Sequence, residues 1–474
     1  MNFEVIIGIE IHCELKTKTK MFSSAPVSFA AKPNTCTNEI DLGMPGTLPC
    51  VNQEAVRSSI KVCHALECEI DPLVRFDRKN YYYSDLPKGF QITQQFFPIG
   101  KNGEIMINTD DGEKIIRINR IHMEEDTAKQ FHHDDGSYLD FNRAGTPLIE
   151  IVTEPDMRNG KEAAAYVEKI RNILYYLGVS DVKMEEGSLR CDVNISLRPY
   201  GSDTLGAKSE IKNLNSISNV QKAIEYEIDR QNKVLLSGGT IDQATLRYDE
   251  TARKTVLMRK KEGDVDYKYF PEPNIFPIRL KEDFISSIIE QLDELPDQRK
   301  HTYIHSYGLN EYDAQQIVAN KELSDFYNKV VTNTKEYKLA ANWILGEVSA
   351  FLNKENIAID QSSIIPEELA IMIDMIVKKE ISGKQAKEVF EEIVLGKKAK
   401  EVVKAKGMEQ VSDENAILDF VINVLDANPQ SIEDYKNGKD RAVGFLVGQV
   451  MKLSKGQANP AITNKLIVEE LKKR

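Results

Sequence analysis

Carboxylates inside otherwise apolar segments are the residues of this sequence best suited to chemistry. Glu150 is the only charge in the apolar run 147–152, and a carboxylate is costly to bury unless it has a partner. Three adjacent acids at 124–126 repel one another unless a bound cation or Lys129 compensates them. These acids are therefore candidates for a cation-binding site, with a solvent-facing strand position as the alternative for Glu150.

Two alternating segments carry further polar side chains. Residues 5–15 alternate strictly, so Glu10 and His12 project from one face of a predicted β-strand whose other face is formed by isoleucines. A later segment repeats this pattern and places Arg190 and Asp192 on one polar face. Such a face can line a substrate groove, although antiparallel sheets often expose one side to water. The alternation leaves both interpretations open.

Aromatic and basic residues are concentrated between residues 75 and 89. Lys79 and Lys88 are among the cations, and the rings are those of Phe76, Tyr81, Tyr82 and Tyr83. Because aromatic rings stack on bases and cations pair with phosphates, this segment suits the single-stranded end of a nucleic acid. A tyrosine-rich strand is the alternative.

Strands in blocks, with a few helices, are predicted to position these residues. Helical spacing appears at 163–177 and again from residue 220, and the first 290 residues show no regular alternation of strand and helix, which favours an α+β fold. Leu295-Pro296-Asp297 marks a boundary, after which nearly all the apolar spacing is helical. We predict a mostly antiparallel-sheet cradle domain over residues 1–294, an all-helical domain over 295–406 and a small helical tail domain over 407–474.

The composition is that of a globular, net acidic chain. It has 474 residues, 41% of them hydrophobic, and a formal net charge of −12, so it can bury a sizeable core. It has no run of about 18 apolar residues and no secretory pattern at its N-terminus, which predicts a cytoplasmic protein without membrane association. The six cysteines include no Cys-x-x-Cys pair, so neither a zinc ribbon nor disulfides are expected.

Positive charge is concentrated at the C-terminus of this acidic chain. Residues 436–474 contain nine Lys and Arg against three Asp and Glu, a net charge of +6. The basic positions are Lys436, Lys439, Arg441, Lys452, Lys455, Lys465, Lys472, Lys473 and Arg474. A basic end suits phosphate binding, and a merely solvated face is the alternative.

Several short blocks, in a fixed order along the chain, carry the most specific signal. They are Lys79-Asn-Tyr, Leu86-Pro-Lys-Gly-Phe-Gln, His122-Met-Glu-Glu-Asp, Asn142-Arg-Ala-Gly-Thr-Pro-Leu-Ile-Glu-Ile-Val, Glu185-Glu-Gly-Ser-Leu-Arg-Cys-Asp, Lys212-Asn-Leu-Asn-Ser, Tyr269-Phe-Pro-Glu-Pro and the segment 445–460. In these blocks the sequence resembles the B subunits of the aspartyl/glutamyl-tRNA amidotransferases. The resemblance extends over nearly the whole chain.

This resemblance implies a glutamine-hydrolysing C–N ligase. Members of the family convert Glu-tRNA(Gln) to Gln-tRNA(Gln), or Asp-tRNA(Asn) to Asn-tRNA(Asn): ATP phosphorylates the misacylated carboxylate, and ammonia then displaces the phosphate. The resemblance also implies two partners, a glutaminase (the A component) and a small C component, and a tRNA bound by its acceptor end at the cradle and by its body at the tail. The sequence shows neither a nucleotide-binding glycine motif nor an evident glutaminase nucleophile.

A magnesium site follows from the same resemblance, because Mg²⁺ neutralises phosphate and carboxylate charge. We expect its ligands to be Glu10, His12, Glu125, Glu150 and Asp192. His12 is the least suited of these, since Mg²⁺ prefers oxygen ligands, and it could instead orient water or substrate. Besides the magnesium ligands, we expect Lys79 and Lys88 to act in catalysis, and Arg190, Asp192 and Lys212 to bind ATP. Lys79, Lys88 and Lys212 are each candidates to hold phosphate groups or to line the entry path of ammonia.

The sequence departs from one branch of the family, in which four N-terminal cysteines hold a structural zinc. The aligned positions are occupied by Ser23, Ala25, Asn38 and Asp41. None of these gives a thiolate ligand, so we predict no zinc.

Two other functions stay open at this point. The chain could be a subunit that grips tRNA while a partner does the chemistry, or a magnesium-dependent phosphohydrolase that acts on a nucleotide. Catalysis in this chain is favoured because the A component brings a glutaminase and no known kinase-like site.

Overall fold

A computed structural model describes residues 3–260, 266–408, 414–436, 441–454 and 457–474. The chain forms two compact units, Met1–Pro296 and Asp297–Arg474. The first is rich in β-sheet and the second is helical, so the predicted α+β class is confirmed. The separate tail domain beginning at residue 407 stays a prediction.

The first unit contains sixteen described strands and four described helices. The strands are β1 (Phe3–Glu14), β2 (Glu69–Ile70), β3 (Leu73–Val74), β4 (Asp77–Asn80), β5 (Phe90–Thr93), β6 (Gly100–Thr109), β7 (Gly112–Glu125), β8 (Lys129–His133), β9 (Gly136–Asp140), β10 (Pro147–Thr153), β11 (Leu189–Pro199), β12 (Ser209–Leu214), β13 (Ala244–Asp249), β14 (Lys254–Lys260), β15 (Phe270–Pro271) and β16 (Ile278–Arg279). The helices are α1 (Gln53–Ala65), α2 (Gly160–Tyr176), α3 (Ile217–Leu236) and α4 (Glu282–Ile289).

Nine of these strands form one large sheet in the order β14-β13-β12-β11-β1-β10-β7-β6-β2. Its described pairs are antiparallel except for β12 with β13. The strand β1 lies between β10 and β11, with His12 opposite Glu150 and Glu10 opposite Asp192. On the far side of β10, Glu150 is also opposite His122 of β7. This register gathers side chains from four strands on one face of the sheet.

The opposite face of the sheet forms the core of the first unit. Ile7, Ile9 and Ile11 are at most 1% exposed, and full burial of such a side chain contributes about 1.5–3 kcal/mol. Helices α1, α2 and α3 pack against this face. Helix α2 ends close to the predicted position, and Gly178 follows it with a φ of 66°, a conformation that glycine adopts without steric strain.

A buried ion pair fastens the N-terminal loop to the turn before β10. Lys20 Nζ lies 3.0 Å from Asp41 Oδ2, and the two side chains are 0% and 2% exposed. The Ser23 hydroxyl donates to the other oxygen of Asp41 at 2.7 Å. Lys20 Nζ also donates to the carbonyl of Phe141 at 3.3 Å. Ser23 and Asp41, two of the four positions at which the resemblance implies zinc-ligand cysteines in one branch of the family, therefore take part in this hydrogen-bonded contact.

The second unit consists of helices in its described parts. They are α5 (Pro296–His305), which begins at the unit boundary, α6 (Glu311–Val318), α7 (Lys321–Asn333), α8 (Tyr337–Trp343), a π-helix (Ile344–Val348), α9 (Ser349–Glu355), a 3₁₀ turn (Ile359–Gln361), α10 (Pro366–Val377), α11 (Gly383–Ile393), α12 (Ala399–Ala405), α13 (Glu414–Ala427), α14 (Pro429–Lys436), α15 (Arg441–Leu453) and α16 (Pro460–Lys473). No helix in the described ranges is both long and apolar enough to cross a bilayer.

Two apolar clusters stabilise this helical unit. One joins helices α5 to α12, and the other joins α13, α15 and α16. The sequence predicts an apolar stripe on α15, and Ala442, Leu446 and Val450 are indeed buried there. Leu453, the fourth apolar residue at this spacing, is 49% exposed. Leu453 is the last residue of α15.

Candidate metal and nucleotide site

Among the described residues, two groups of possible metal ligands lie on the polar face of the large sheet. The histidine group consists of His12, Glu124 and Glu150, and the acidic group consists of Glu10, Asp192 and Glu210. Within each group the candidate ligand atoms all lie within 4.8 Å of one another. The predicted ligands Glu10 and Asp192 therefore fall in one group, while His12 and Glu150 fall in the other.

Glu150 is the centre of the histidine group. Its Oε2 lies 3.4 Å from His12 Nε2 and 3.2 Å from His122 Nε2. Each imidazole nitrogen also lies 3.8 Å from a carboxylate oxygen of Glu124. The cause is the register, because His12 and His122 face Glu150 from the strands on either side of β10. Two carboxylates and two imidazoles thus share one small, largely buried space.

Mutual interactions strongly shift the pKa values of this group. Burial alone would lower the pKa of His12, but the carboxylates of Glu150 and Glu124 outweigh it and raise the pKa to about 9. Burial raises the pKa of Glu150, yet His122 and His12 outweigh this effect and hold it well below its usual value. His12 and His122 are therefore the groups that offset the negative charge of Glu150.

The acidic group has a different compensating charge. Lys212 Nζ lies 2.7 Å from Asp192 Oδ2 and 3.2 Å from Glu210 Oε1. Burial lowers the pKa of Lys212, but these two carboxylates more than offset it, and the pKa is raised. Glu10 accepts a hydrogen bond of 2.8 Å from Asn194 Nδ2. Burial, followed by repulsion from Glu150, raises the pKa of Glu10, so this carboxylate is the least compensated member of the group.

The predicted ligand Glu125 lies in neither group. Its Oε1 accepts from the ammonium of Lys88 and, at 3.0 Å, from the backbone N–H of Ile92. Adjacent strand residues point to opposite faces, and it is Glu124, not Glu125, that points toward His12. The structure thus brings Glu125 together with Lys88, another predicted site residue, at the end of β7.

The remaining predicted residues surround these groups. The ammonium of Lys79 lies beside two tyrosine rings, 5.8 Å from the centroid of Tyr81 and 5.0 Å from that of Tyr267. Arg190 is opposite His12 in the sheet register, and its guanidinium donates to Asp126 at 2.8 Å. The catalytic, ATP-binding and ligand roles expected for all these residues stay predictions.

The chain matches known families and curated proteins over most of its length. Residues 5–286 match the GatB/GatE catalytic domain and residues 325–471 match the GatB domain. The chain belongs to the GatB/GatE family. It is 55% identical to the aspartyl/glutamyl-tRNA(Asn/Gln) amidotransferase B subunit of Geobacillus thermodenitrificans (strain NG80-2) and 54% identical to that of Bacillus velezensis, each over the full length of both chains. The family indicated by the sequence blocks is therefore confirmed.

Both ligand groups lie inside the match to the GatB/GatE catalytic domain. Two members of these groups and their surroundings, His122 and Glu210, were not singled out from the sequence, and Glu124 was considered only as one of the three adjacent acids at 124–126. A local signal for each exists: His122 and Glu124 are two residues apart on β7, and Glu210 and Lys212 are two residues apart on β12, so each pair shares a face. What the sequence does not contain is the order of the strands, which decides that these faces meet.

Proposed function

We propose that this GatB/GatE family chain is the part of a tRNA-dependent amidotransferase that activates and amidates the misacylated aminoacyl group. The observation that carries the proposal is the presence of the histidine group and the acidic group on strands of the region that matches the catalytic domain. Each of these two groups is compact enough to surround one cation. The name of the relatives supports the substrate class, since they are aspartyl/glutamyl-tRNA(Asn/Gln) amidotransferase B subunits.

The donor sets of both groups fit magnesium. Oxygen ligands from Glu10, Asp192 and Glu210 suit this ion well, and Glu124 with Glu150 provides carboxylates beside His12. The fit rests on the donor atoms, because each group brings carboxylate oxygens within a few ångströms of one another, and these are the ligands that Mg²⁺ prefers. When bound, Mg²⁺ would neutralise charge on ATP phosphates and on the reacting carboxylate.

The residues of this chain then hold the reactants. A carboxylate oxygen of the misacylated Glu or Asp bonds to the terminal phosphorus of ATP, and the bond from that phosphorus to ADP breaks. Ammonia then attacks the activated carbonyl carbon, and phosphate leaves. We propose that Lys212 and Arg190 bind phosphate oxygens; Arg190 is opposite His12 in the sheet, and Lys212 pairs with Asp192. Lys79 is proposed to add a third cation, and its ammonium lies 5.0 Å from the centroid of the Tyr267 ring.

Lys88 and Glu125 have a different proposed role. Their ion pair lies outside both ligand groups, so they are suited to the path by which ammonia reaches the activated group. We propose that a glutaminase, the A component, supplies this ammonia and that a small C component completes the assembly. The chain would act in the cytoplasm.

The tail is proposed to hold the body of the tRNA. Arg441, Lys452 and Lys472 are exposed, while other basic side chains are paired, such as Lys465 with Glu414 at 3.1 Å. Two basic residues of the predicted set, Lys439 and Lys455, lie outside the described residues. Exposed cations bind phosphates without selecting bases.

ATP cleavage by the purified chain, with and without misacylated tRNA, tests the proposal. We expect cleavage that depends on Mg²⁺ and on misacylated Glu-tRNA or Asp-tRNA. An equal rate of ATP cleavage with and without misacylated tRNA would indicate a nucleotide phosphohydrolase. The chain and its assembled complex, supplied with ammonium, could instead bind tRNA tightly and cleave no ATP. That result would indicate a subunit that binds tRNA without catalysing the reaction.

A further inference from the structure

His122 is a buried histidine that lies beside the histidine group without belonging to it. Its side chain is 6% exposed, against 21% for His12. Both rings approach Glu150 across the sheet, His12 from β1 and His122 from β7. The two histidines therefore face the same carboxylate from opposite sides, and His12 is the one that is more open to a ligand.

His122 interacts with the carboxylates through one of its two ring nitrogens. Its Nε2 lies 3.2 Å from Glu150 Oε2 and 3.8 Å from Glu124 Oε2. Its Nδ1 is buried and has no hydrogen-bond partner among the described residues. Leaving a buried polar atom without a partner costs free energy. The ring is thus placed for its contact with the carboxylates and not for its own hydrogen bonding.

Glu150 needs a hydrogen-bond donor that keeps its carboxylate in one direction. A glutamate side chain rotates about several bonds, and carboxylates that bind a metal ion are in turn fixed by hydrogen bonds. In the structure, His12 and His122 both lie within 3.4 Å of Glu150 Oε2. An imidazole nitrogen that binds a cation through its lone pair cannot also donate from that atom. With His12 used as a ligand, His122 is the histidine that still donates to Glu150.

We propose that His122 is a positioning residue, which holds Glu150 in the direction that binds the cation and does not bind the cation itself. The neighbouring strand supplies this support, because the register of β7 against β10 sets His122 opposite Glu150. This role rests on the proposed function, since it requires that the histidine group binds a cation.

Two amide variants separate the hydrogen bond from general packing. In His122→Gln the amide nitrogen is as many bonds from Cβ as Nε2 of histidine, so the donor to Glu150 is kept. In His122→Asn the side chain is one bond shorter, and its amide does not reach that oxygen. Ile121→Val is the matched control, because Ile121 is 0% exposed in the core on the same strand and adjacent strand residues point to opposite faces.

Mn²⁺ is the probe, because it accepts the same oxygen ligands as Mg²⁺ and is paramagnetic. Its affinity for the assembled complex would be measured without ATP or tRNA, in an Asp192→Asn background that removes one ligand from the acidic group. We expect His122→Asn to weaken Mn²⁺ binding by about 10- to 100-fold. His122→Gln and Ile121→Val should bind Mn²⁺ nearly as tightly as the protein with His122 and Ile121 intact. Nitrogen coupling in the Mn²⁺ resonance spectrum, which reports bound imidazole, should be the same with His122 and with His122→Gln.

The outcomes distinguish this role from the proposed cation site. Equal Mn²⁺ affinity with His122 and with His122→Asn would overturn the positioning role, and so would an equally large loss in Ile121→Val. Loss of nitrogen coupling in His122→Gln would overturn it by making His122 a ligand, and this test stands even where His122→Asn does not fold. No Mn²⁺ binding with His122 intact would contradict the proposed cation site, and the positioning role with it.

Discussion

Removal of one partner of the buried ion pair between Lys20 and Asp41 should strongly destabilise the first unit. In Lys20→Met the carboxylate of Asp41 stays buried, at 2% exposure, and loses its only cationic partner among the described contacts. Breaking a buried pair on one side costs about 3–5 kcal/mol. Lys16→Met is the matched control, because the Lys16–Asp181 pair spans 3.1 Å but its side chains are 67% and 57% exposed. An exposed pair contributes about 0–1 kcal/mol.

The assay must report on the sheet rather than on the helical unit. The single tryptophan, Trp343, lies in the second unit, so its fluorescence is unsuitable. Native-state hydrogen exchange of peptides from β1 and β10 measures the free energy of opening where the pair acts. We expect Lys20→Met to lower it by about 3–5 kcal/mol and Lys20→Met combined with Asp41→Asn to recover part of the loss. A loss in Lys20→Met no larger than that in Lys16→Met would refute this account.

Three further predictions concern the proposed reaction. Glu150→Gln should reduce tRNA-dependent ATP cleavage by at least about 100-fold and leave the glutaminase activity of the complex unchanged. The control Glu113→Gln, at an exposed position, should change neither activity. Near-normal amidation by the Glu150→Gln variant would remove this residue from the site. The purified chain should form amide from ammonium and not from glutamine, and glutamine-dependent product in a preparation free of the glutaminase component would contradict this. Truncation after Gly407 should raise the KM for tRNA with little change in kcat. It should also make the dependence of log affinity on log salt concentration less steep, by about one unit of slope per lost phosphate contact. An unchanged KM and an unchanged slope would count against a tRNA-binding tail.

The sequence by itself determined which side chains share a face of each element. Alternation is a local property, because a strand turns successive side chains to opposite sides. It therefore placed Glu10 with His12 on β1, and Arg190 with Asp192 on β11, before any strand order was known. Helix and boundary signals were equally local, as at Gly178 after α2. The family blocks indicated the chemistry in the same way, since each is a short run of the chain.

Only the tertiary structure decided which of those faces meet. Because β1 lies between β10 and β11, the expected single constellation divides into one group around Glu150 and another around Asp192. The choice between Glu124 and Glu125 depended on the register of β7 against β10, which is fixed by contacts far apart in sequence. For the same reason, no local pattern could bring Tyr267 beside Tyr81. Strand order and register are non-local, and the polar site is built from them.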